Sequence, residues 1–398
     1  MAVIGAGYTG AGAALELARR GRAVVLLDAA APGSEASSRN GGMAIPGTKG
    51  ELPDLLAAPG GPDQWHESVA AFAQLERLVA DEHIDCSWAR SGHVELAVHP
   101  RHARRLREAA EAHQLLGEQA HFLGPDELAP EIGSRRFAGG LALERSAALQ
   151  PAVLLQGLLA AARRAGAVVH GNVRARSVQP SGAGKTLHTT AGPVRVGEVV
   201  AATGASSTDA PGLLPFLARR ILPVGSFVIA TEALGEDLAH SVSPRRRMFF
   251  DTRNFLNYWR LSPDGTRILF GGRTSFAPTT VEQARERLYA AMVAVHPQLR
   301  GVRVERAWGG LVDLSMDRRP HVGRDPSSGV VYAAGYSGTG VVLSVHLGTT
   351  IGRWLGGEPL TSAFADGERF RPVPAAARHP QLLRTAGWWF RARDDLGL

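Results

Sequence analysis

A glycine-rich turn between a short apolar segment and a helical segment is the feature that most constrains the fold of this chain. The apolar residues 2–4 predict a buried strand. Gly5 permits the tight turn after this strand, Gly7 lets a pyrophosphate approach the backbone, and Gly10 lets the next helix pack closely. The N-terminus of that helix presents free N–H groups and a partial positive charge to a phosphate. The segment therefore predicts a strand–turn–helix unit that binds a dinucleotide.

The residues after the turn have the order expected of a complete dinucleotide-binding unit. A helix is predicted over residues 11–21, and a second apolar strand follows at residues 23–27. Asp28 ends this strand 18 residues after Gly10, near the ~20 residues expected for the acid that binds a ribose. Three glycines alone are a weak signal, for which a ligand-free turn is the alternative. The full order of strand, turn, helix, strand and acid is far more specific.

A second glycine-rich loop stands near the other end of the chain. Residues 335–340 read Gly-Tyr-Ser-Gly-Thr-Gly and lie some 330 residues after the first loop. If loops at both ends of the chain contact one ligand, FAD is favoured over NAD as that ligand. The helix predicted after this loop runs to about Leu355, and its N-terminus would stabilise negative charge on a reduced flavin ring.

Two further loops are candidates for the cofactor site. Residues 32–48 are rich in Gly, Ser and Asn, follow the predicted ribose-binding acid, and offer hydroxyls, backbone donors and Arg39 to a phosphate. A plain surface loop is the alternative for this segment. The second candidate is the small-residue turn at 201–205, which ends a predicted buried strand.

The pattern of segments predicts an α/β fold in which two domains are interleaved. A Rossmann-like domain of the two-dinucleotide-binding type is interrupted twice, and the longer interruption has the alternation and turns of an antiparallel sheet. We expect this sheet, in an α+β substrate domain, to form the floor of a substrate pocket. The predicted FAD domain comprises residues 1–83, 146–218 and 311–398, the last with a C-terminal tail, and the predicted substrate domain comprises residues 84–145 and 219–310.

Composition and charge exclude several other classes of protein. The 398 residues include a single cysteine, Cys86, which excludes an internal disulfide and a cysteine-based zinc or iron–sulfur site. The net charge is +7, but only Lys49 and Lys185 are lysines and the arginines are scattered, so a solvated basic surface is favoured over a nucleic-acid site. The histidines show no metal-binding spacing, so we expect no metal. Without a signal peptide or an apolar run of ~18 residues, we expect a soluble, cytoplasmic chain with no membrane span.

Six short motifs along nearly the whole chain resemble those of one known family. The chain resembles the D-amino-acid-oxidase superfamily of FAD-dependent amine oxidoreductases, and within it is most similar to gamma-glutamylputrescine oxidase-like proteins. The segments that carry the resemblance are Gly5–Gly10, Ser38–Gly42, Ala202–Gly204, Trp308–Asp313, Met316–Gly323 and Gly335–Val341.

The resemblance implies an FAD cofactor and oxidation of the C–N bond of an amine or amino acid. A hydride would pass from the carbon next to the neutral amine to flavin N5, and the imine product would hydrolyse in water. Some members attach the flavin to a cysteine after the segment that matches Trp308–Asp313, but no cysteine stands there, so a noncovalent flavin is expected. This chemistry needs orientation and a dry pocket more than an acid–base pair.

The electron acceptor is left open by the sequence. Some oxidases of the superfamily place a lysine beside flavin N5, and the matching strand at residues 268–273 has none, although Arg273 supplies a positive charge. An oxidase that uses oxygen is favoured, and a dehydrogenase that passes electrons to a quinone or protein, or a tailoring enzyme on a larger amine, is the alternative. A noncatalytic flavin-binding subunit is a third interpretation. The oligomeric state is not predicted.

The site residues follow from the loops and the resemblance together. For the cofactor we predict Gly5, Ala6, Gly7, Tyr8, Thr9, Gly10, Asp28, Ala29, Ser37, Ser38, Arg39, Asn40, Gly41, Gly42, Met43, Val173, Ala202, Thr203, Gly204, Gly335, Tyr336, Ser337, Gly338, Thr339 and Gly340. For catalysis we predict Tyr258 as a cap on the pocket, Arg273 or Arg260 as a partner for a carboxylate, and His321 as an acceptor of the amine proton. The alternatives are an aromatic packed in the sheet for Tyr258, an arginine at the edge of the sheet for Arg273 and Arg260, and a structural histidine for His321.

Overall fold

The computed structural model describes residues 1–273, 279–365 and 369–396. The strands are β1 (Ala2–Ile4), β2 (Val25–Leu27), β3 (Met43–Ala44), β4 (His93–Leu96), β5 (Ala120–Leu123), β6 (Gly140–Leu143), β7 (Ala147–Ala148), β8 (Val168–His170), β9 (Ala175–Ser181), β10 (Gly184–Thr189), β11 (Gly192–Val196), β12 (Val199–Ala201), β13 (Leu222–Thr231), β14 (Met248–Asp251), β15 (Asn257–Leu261), β16 (Ile268–Gly272), β17 (Val304–Leu314), β18 (His321–Arg324) and β19 (Val331–Ala334). The α-helices are α1 (Tyr8–Arg19), α2 (Ala36–Arg39), α3 (Leu52–Ala57), α4 (Gly61–Asp81), α5 (Pro100–Leu115), α6 (Pro125–Ile132), α7 (Pro151–Arg164), α8 (Pro215–Ala218), α9 (Glu236–Val242), α10 (Val281–Val295), α11 (Gly340–Leu355) and α12 (Pro380–Leu396).

A six-stranded sheet forms the centre of the first domain. Its strand order is β18-β19-β12-β1-β2-β8, and all neighbours run parallel except β18, which is antiparallel to β19. The three residues of β1 are fully apolar and buried, as expected of a strand that is covered on both faces. The carboxyl ends of the parallel strands β1, β2 and β12 meet at one edge, where ligands of such sheets bind.

Helices α1 and α11 lie side by side against this sheet, and small residues let them approach closely. A Cβ atom on Gly12 would lie 2.8 Å from the Val345 carbonyl oxygen, and one on Gly348 would lie 2.2 Å from the Thr9 carbonyl oxygen. Both helices begin at the ligand edge of the sheet. The close packing therefore brings together two glycine-rich loops that are separated by more than three hundred residues of sequence.

An eight-stranded sheet forms the second domain. Its order is β17-β13-β16-β15-β14-β4-β6-β5, antiparallel throughout except for the parallel pair of β14 and β4. One face packs on α10 and buries Phe249, Trp259 and Phe270. Because side chains alternate between the faces of a strand, the residues before and after these point to the other face. A row across that other face contains Glu95, Phe250, Tyr258 and Gly271, which oppose one another in register.

The fold class predicted from the sequence is confirmed. The strands of the eight-stranded sheet come from residues 93–143 and 222–314, so the chain leaves the first domain twice. The boundaries between the domains stay a prediction, and β17 continues past residue 310 to Leu314. A three-stranded sheet of β9, β10 and β11 lies between β8 and β12 in the sequence. In the described part of the chain, no helix combines the length and the apolar composition needed to cross a bilayer.

Candidate active site

A cavity of about 810 Å³ lies between the ligand edge of the six-stranded sheet and the polar face of the eight-stranded sheet. At one end its walls are loops that follow β1, β2, β12 and β19. At the other end its walls are side chains of β4, β14 and β15. One continuous space therefore joins the predicted cofactor site to the predicted substrate pocket.

The first glycine loop has no room for larger residues. Gly5 has a φ of 101°, and a Cβ atom there would lie 2.4 Å from the Ala202 carbonyl oxygen. A Cβ atom on Gly10 would lie 1.9 Å from the Gly5 carbonyl oxygen, so Gly10 serves helix packing and does not line the cavity. Gly7 lines the cavity and approaches the Ser37 hydroxyl, which would lie 2.8 Å from an added Cβ atom.

Asp28 stands at the carboxyl end of β2 and lines the cavity. Its carboxylate accepts hydrogen bonds from the Ala6 N–H at 2.8 Å and from the Ala30 N–H at 3.0 Å. These two bonds fix the carboxylate beside the first glycine loop. A ribose that binds there would meet a carboxylate that is already oriented.

The loop after Asp28 folds back over the start of α1. The Ser37 hydroxyl accepts a hydrogen bond from the Tyr8 N–H at 3.0 Å, and the Asn40 side-chain oxygen accepts one from the Gly42 N–H at 2.8 Å. Arg39 donates to the Gly309 carbonyl oxygen at 2.9 Å, which ties the loop to β17. The loop thus forms a wall of the cavity. Its contacts argue against the alternative interpretation as a plain surface loop.

Asp313, at the end of β17, holds the second glycine loop. Its carboxylate accepts the Gly335 N–H at 2.8 Å, and its carbonyl oxygen accepts the Ser337 N–H at 2.9 Å. Burial raises the pKa of Asp313 to about 6. The two glycine loops are also joined directly, because the Tyr336 and Thr9 hydroxyls lie 2.7 Å apart.

The residues predicted to bind the cofactor fall into two groups. Those that line the cavity are Gly5, Gly7, Tyr8, Thr9, Asp28, Ala29, Ser37, Arg39, Asn40, Gly41, Met43, Ala202, Thr203, Gly204, Tyr336, Ser337, Gly338, Thr339 and Gly340. Those that support the loops without lining the cavity are Ala6, Gly10, Ser38, Gly42, Val173 and Gly335. The Val173 N–H, for example, donates to the Asp28 carbonyl oxygen at 2.8 Å, while its neighbours Arg174 and Ala175 line the cavity.

The cofactor end of the cavity fits an FAD molecule. Gly5 and Gly7 form a cradle that a Cβ atom would fill, and Asp28 is placed for a ribose. Neither α1 nor α11 has a cap from its N-cap side chain, so N–H groups of both first turns other than that of Tyr8, which donates to Ser37, are available to anionic oxygens. The buried Ser34 hydroxyl lines the same cavity without a hydrogen-bond partner in the structure. This is the donor set that a pyrophosphate and a flavin carbonyl require.

Tyr258 stands where the two ends of the cavity meet. A Cβ atom on Gly271 would lie 2.3 Å from Cζ of the ring, and one on Gly41 would lie 2.8 Å from Cε2, so two glycines make room for the ring. The hydroxyl lies 3.4 Å from the Ser226 hydroxyl. Burial raises the pKa of Tyr258, which keeps the phenol neutral. The ring forms a wall over the loop at Gly41, as a cap on the pocket would.

The prediction that Arg260 pairs with a substrate carboxylate is wrong. Its guanidinium donates to the carbonyl oxygens of Gly41 at 2.6 Å, Leu149 at 2.6 Å and Leu261 at 2.9 Å. The side chain is buried and does not line the cavity. Arg260 and Tyr258 do share one face of β15, but Arg260 meets the backbone of the cofactor loop there. Its role is to hold that loop.

His321 lies away from the cavity. Its ring stacks on Phe370 with centroids 4.3 Å apart, and Nε2 lies 3.0 Å from Oδ1 of Asp317. The residue is buried and does not line the cavity. This position favours the structural role over the acceptance of an amine proton.

Several cations gather at the substrate end of the cavity. Arg273, Arg318 and Lys49 all line it, and none of the three side chains has an ion pair with another described residue. Burial and then Arg318 lower the pKa of Arg273 to about 10, and burial and then Arg273 lower the pKa of Lys49 to about 8. The guanidinium of Arg273 stays charged at neutral pH. The cluster favours anions and disfavours a protonated amine.

Lys49 and Glu95 are cavity residues that the sequence did not reveal. The predicted absence of a lysine from β16 is correct, but Lys49 reaches the cavity from the loop after β3. Ser68 on α4 positions this loop by accepting the Gly47 N–H at 2.8 Å. The one available signal was that Lys49 is one of two lysines in a chain with 44 lysines and arginines. Glu95 carried no signal, because its place depends on the pairing of β4 with β14.

The described residues contain no cluster of histidine, cysteine, aspartate or glutamate that could hold a metal ion. Cys86 is buried and does not line the cavity, so in the described part of the wall no thiol faces the cofactor end. Burial also raises the pKa of the Cys86 thiol, which makes it less reactive. The geometry thus offers no attachment point for a covalent flavin on Cys86.

Comparisons with known proteins agree with this site. Residues 1–354 match the family model described as FAD dependent oxidoreductase. The chain is 32% identical to the probable oxidoreductase OrdL of Haemophilus influenzae, over 86% of this chain and 79% of that protein. It is 30% identical to the gamma-glutamylputrescine oxidoreductase of Escherichia coli, over 100% of this chain and 93% of that protein. Among solved structures, glycine oxidase from Geobacillus kaustophilus superposes with a TM-score of 0.73 at 22% identity, over 87% of this chain and 91% of that one.

The chain therefore belongs to the family of FAD-dependent oxidoreductases related to D-amino-acid oxidase. Its cofactor is FAD, and the protein is an enzyme. The resemblance predicted from the short motifs is confirmed over nearly the whole length. The fold of glycine oxidase is shared as well.

Proposed function

We propose that this enzyme oxidises the C–N bond of an amine or amino acid. The observation that carries the proposal is the continuous cavity, in which the FAD-binding loops meet Tyr258 and a cluster of charges without an ion pair among the described residues. FAD supplies the oxidising power, because its ring accepts the hydride that leaves the carbon next to the nitrogen. The substrate loses two electrons and becomes an imine, which water converts into a carbonyl compound and a free amine. The relatives named for gamma-glutamylputrescine and glycine support this class of substrate.

The residues of the chain orient the substrate and keep its amine neutral. Tyr258 forms one wall over Gly41, so it limits where the reacting carbon can lie. Arg273 and Lys49 place positive charge in the same space, and nearby positive charge lowers the pKa of a bound amine. A neutral amine is the form that can release a hydride from its carbon. No protein base is needed if the amine binds without its extra proton.

We further propose oxygen as the electron acceptor. Lys49 and Arg273 provide cationic charge at the substrate end of the cavity, although β16 has no lysine. Positive charge there favours the transfer of an electron to oxygen, because the first product is an anion. A quinone or protein acceptor is the competing case, and the reoxidation experiment below separates the two.

The direct test is anaerobic reduction of the purified holoenzyme by a panel of amines. The panel contains the γ-glutamyl amide of putrescine, sarcosine, glycine, D-amino acids and proline, and the readout is loss of the visible flavin absorption. Bleaching by one class establishes amine oxidation, and stopped-flow mixing with oxygen then distinguishes an oxidase from a dehydrogenase. A colourless protein would overturn the FAD site. Yellow protein that no amine bleaches would favour a noncatalytic flavin-binding subunit.

A further inference from the structure

The C-terminal helix α12 carries two exposed tryptophans. Trp388 is 74% exposed and Trp389 is 55% exposed, whereas the other five tryptophans of the chain are buried or half-buried. Leu382 on the same helix is 50% exposed. Large apolar side chains that are grouped on one exposed face mark a surface for a partner, because covering them removes a large apolar area from water. The outer side of α12 is therefore a candidate interaction surface.

Both ends of α12 are attached to the body of the protein. Just before the helix, Arg378 donates a hydrogen bond to the Ala218 carbonyl oxygen at 2.7 Å. Near the end of the helix, the Asp394 carboxylate accepts the backbone N–H of Asn254 at 2.7 Å and that of Phe255 at 3.2 Å. Because the helix is held at both ends, one of its faces is fixed against the protein and the opposite face is fixed towards solvent.

Helical spacing places the exposed apolar residues on that outward face. Gly387 is buried, and Asp394, seven residues later, bonds to the body of the protein, so these two residues mark the inner face. Successive residues of a helix are rotated by about 100°, which turns Trp388 and Trp389 away from Gly387. Leu382 precedes Trp389 by about two turns and stands on the same side as that residue. We define the tryptophan face as Leu382, Trp388 and Trp389.

Arginines accompany the tryptophan face. Arg384 is exposed, and Cζ of Arg393 lies 4.7 Å from the centre of the Trp389 ring. Among the described side chains of α12, the one carboxylate is that of Asp394, and it bonds to the body of the protein. The whole chain carries a net charge of +7. Charge complementarity therefore favours an anionic partner for this face.

A second copy of this chain fits the tryptophan face poorly. A twofold contact places one patch against the same patch of the partner, so the arginines of the two helices would meet. The described side chains of α12 offer no outward carboxylate to separate them, and opposed like charges weaken an interface. An anionic lipid surface supplies phosphates to the arginines instead. It also has a headgroup layer in which indole rings are stable.

We propose that the tryptophan face binds the surface of a bilayer that contains anionic lipids. The indole rings of Trp388 and Trp389 enter the headgroup layer, and Arg384 and Arg393 pair with lipid phosphates. The helix lies parallel to the surface, as amphipathic helices of this composition do. Asn254, to which α12 is bonded, lines the substrate end of the cavity, so the bound bilayer lies one helix away from that end.

Flotation of the purified holoenzyme with lipid vesicles tests the proposal. Vesicles of phosphatidylcholine that contain phosphatidylglycerol should bind the protein roughly 10-fold or more tightly than vesicles of phosphatidylcholine alone, and added salt should weaken this binding. The tryptophan emission should shift to shorter wavelength on binding, because the indole rings leave water. Failure to bind the anionic vesicles, or equal binding to both kinds of vesicle, would overturn the proposal.

Surface variants assign the binding to α12. The double variant W388S/W389S should bind anionic vesicles roughly 10-fold or more weakly than the wild type, and R384Q should bind them roughly 5-fold more weakly. The matched controls are L115S, which removes a side chain that is 88% exposed on α5, and R163Q, which removes an exposed cation on α7. Both controls should bind as the wild type does. Equal losses in the controls and in the α12 variants would contradict a specific role of the tryptophan face.

Two further measurements separate membrane binding from misfolding and from self-association. The FAD content of every variant should equal that of the wild type, because none of the replaced side chains lines the cavity. Sedimentation equilibrium without lipid gives the mass of the holoenzyme in solution. If the wild type did not bind vesicles and W388S/W389S lowered its mass, the tryptophan face would join two copies of the chain and the proposal would be wrong.

Discussion

The two ends of the cavity use polar groups in opposite ways. At the cofactor end, polar side chains are fixed by the protein itself: Asp28 accepts two backbone N–H groups, and Asp313 holds the second glycine loop. At the substrate end, Arg273, Lys49 and Glu95 line the wall without direct partners among the described residues. The first end is built to bind one fixed ligand through backbone geometry. At the second end, these charged side chains are available to bind a substrate.

The largest effect should come from a side chain added to the first glycine loop. G5A forces a residue into a φ of 101° and brings its Cβ atom to 2.4 Å from the Ala202 carbonyl oxygen, so we expect FAD affinity to fall by roughly 100-fold or more. The measurement is the dissociation constant of FAD by flavin fluorescence. G197A is the matched control, because an added Cβ atom there meets nothing within 4 Å and Gly197 does not line the cavity. Equal losses in both variants would contradict this view of the loop.

Removal of the guanidinium that holds the cofactor loop should have the next largest effect. R260M leaves the carbonyl oxygens of Gly41, Leu149 and Leu261 without their donor, and we expect the free energy of unfolding to fall by about 3 kcal/mol. Urea unfolding of the holoenzyme measures this. R273M removes a half-buried arginine that directly follows β16 of the same sheet, and it should change the free energy of unfolding far less. If R273M lowered the free energy of unfolding more than R260M, the assignment of Arg260 as the residue that holds the cofactor loop would be contradicted.

The cofactor end was predictable from sequence because backbone geometry determines it. The glycines at 5, 7 and 10 are required by a turn and by close approaches, so their spacing alone indicated the nucleotide loop. Alternation along β15 puts Tyr258 and Arg260 on one face, but it does not show that Arg260 meets backbone carbonyl groups there. The face of a residue follows from a local pattern, whereas its partner depends on the packing of distant segments.

The substrate end was less predictable for the same reason. Glu95 reaches the cavity because β4 pairs with β14, more than 150 residues later in the chain. Lys49 does so because its loop is tied to α4 through Ser68. No local pattern records either contact. His321 was close in sequence to the cofactor motifs, yet it stacks on Phe370 outside the cavity.

The pH dependence of the free energy of unfolding should reveal the buried carboxyl group of Asp313 at the cofactor end. The folded chain holds the proton of Asp313 up to a pH of about 6, whereas an unfolded aspartate releases it near a pH of about 4. The folded state therefore binds more protons between these values, and stability falls as the pH rises through this window. D313N keeps an oxygen for the Gly335 N–H and should flatten this fall, measured as the difference in unfolding free energy from wild type. A difference that does not vary between pH 4 and pH 6 would contradict the buried, protonatable carboxyl.

The smallest effect should follow from loss of the Tyr258 hydroxyl. Among the described residues, its hydroxyl has one hydrogen-bond partner, the Ser226 hydroxyl at 3.4 Å, which is a long contact, while the ring itself fills the space above Gly41 and Gly271. We expect Y258F to lower kcat/KM less than about 10-fold, and Y258A to lower it much further. Steady-state kinetics on the preferred amine would show this. If Y258F were as impaired as Y258A, the hydroxyl and not the ring would matter.

The division of the cavity is tested most directly by R273M, with FAD content and the anaerobic rate of flavin reduction measured on one preparation. Arg273 belongs to the substrate end, so the variant should hold as much FAD as the wild type. Its reduction by the preferred amine should slow by roughly 10-fold or more near neutral pH and recover at higher pH, because the bound amine keeps its proton without the nearby positive charge. Loss of FAD from the variant, or wild-type reduction at every pH, would contradict the separation of the two ends.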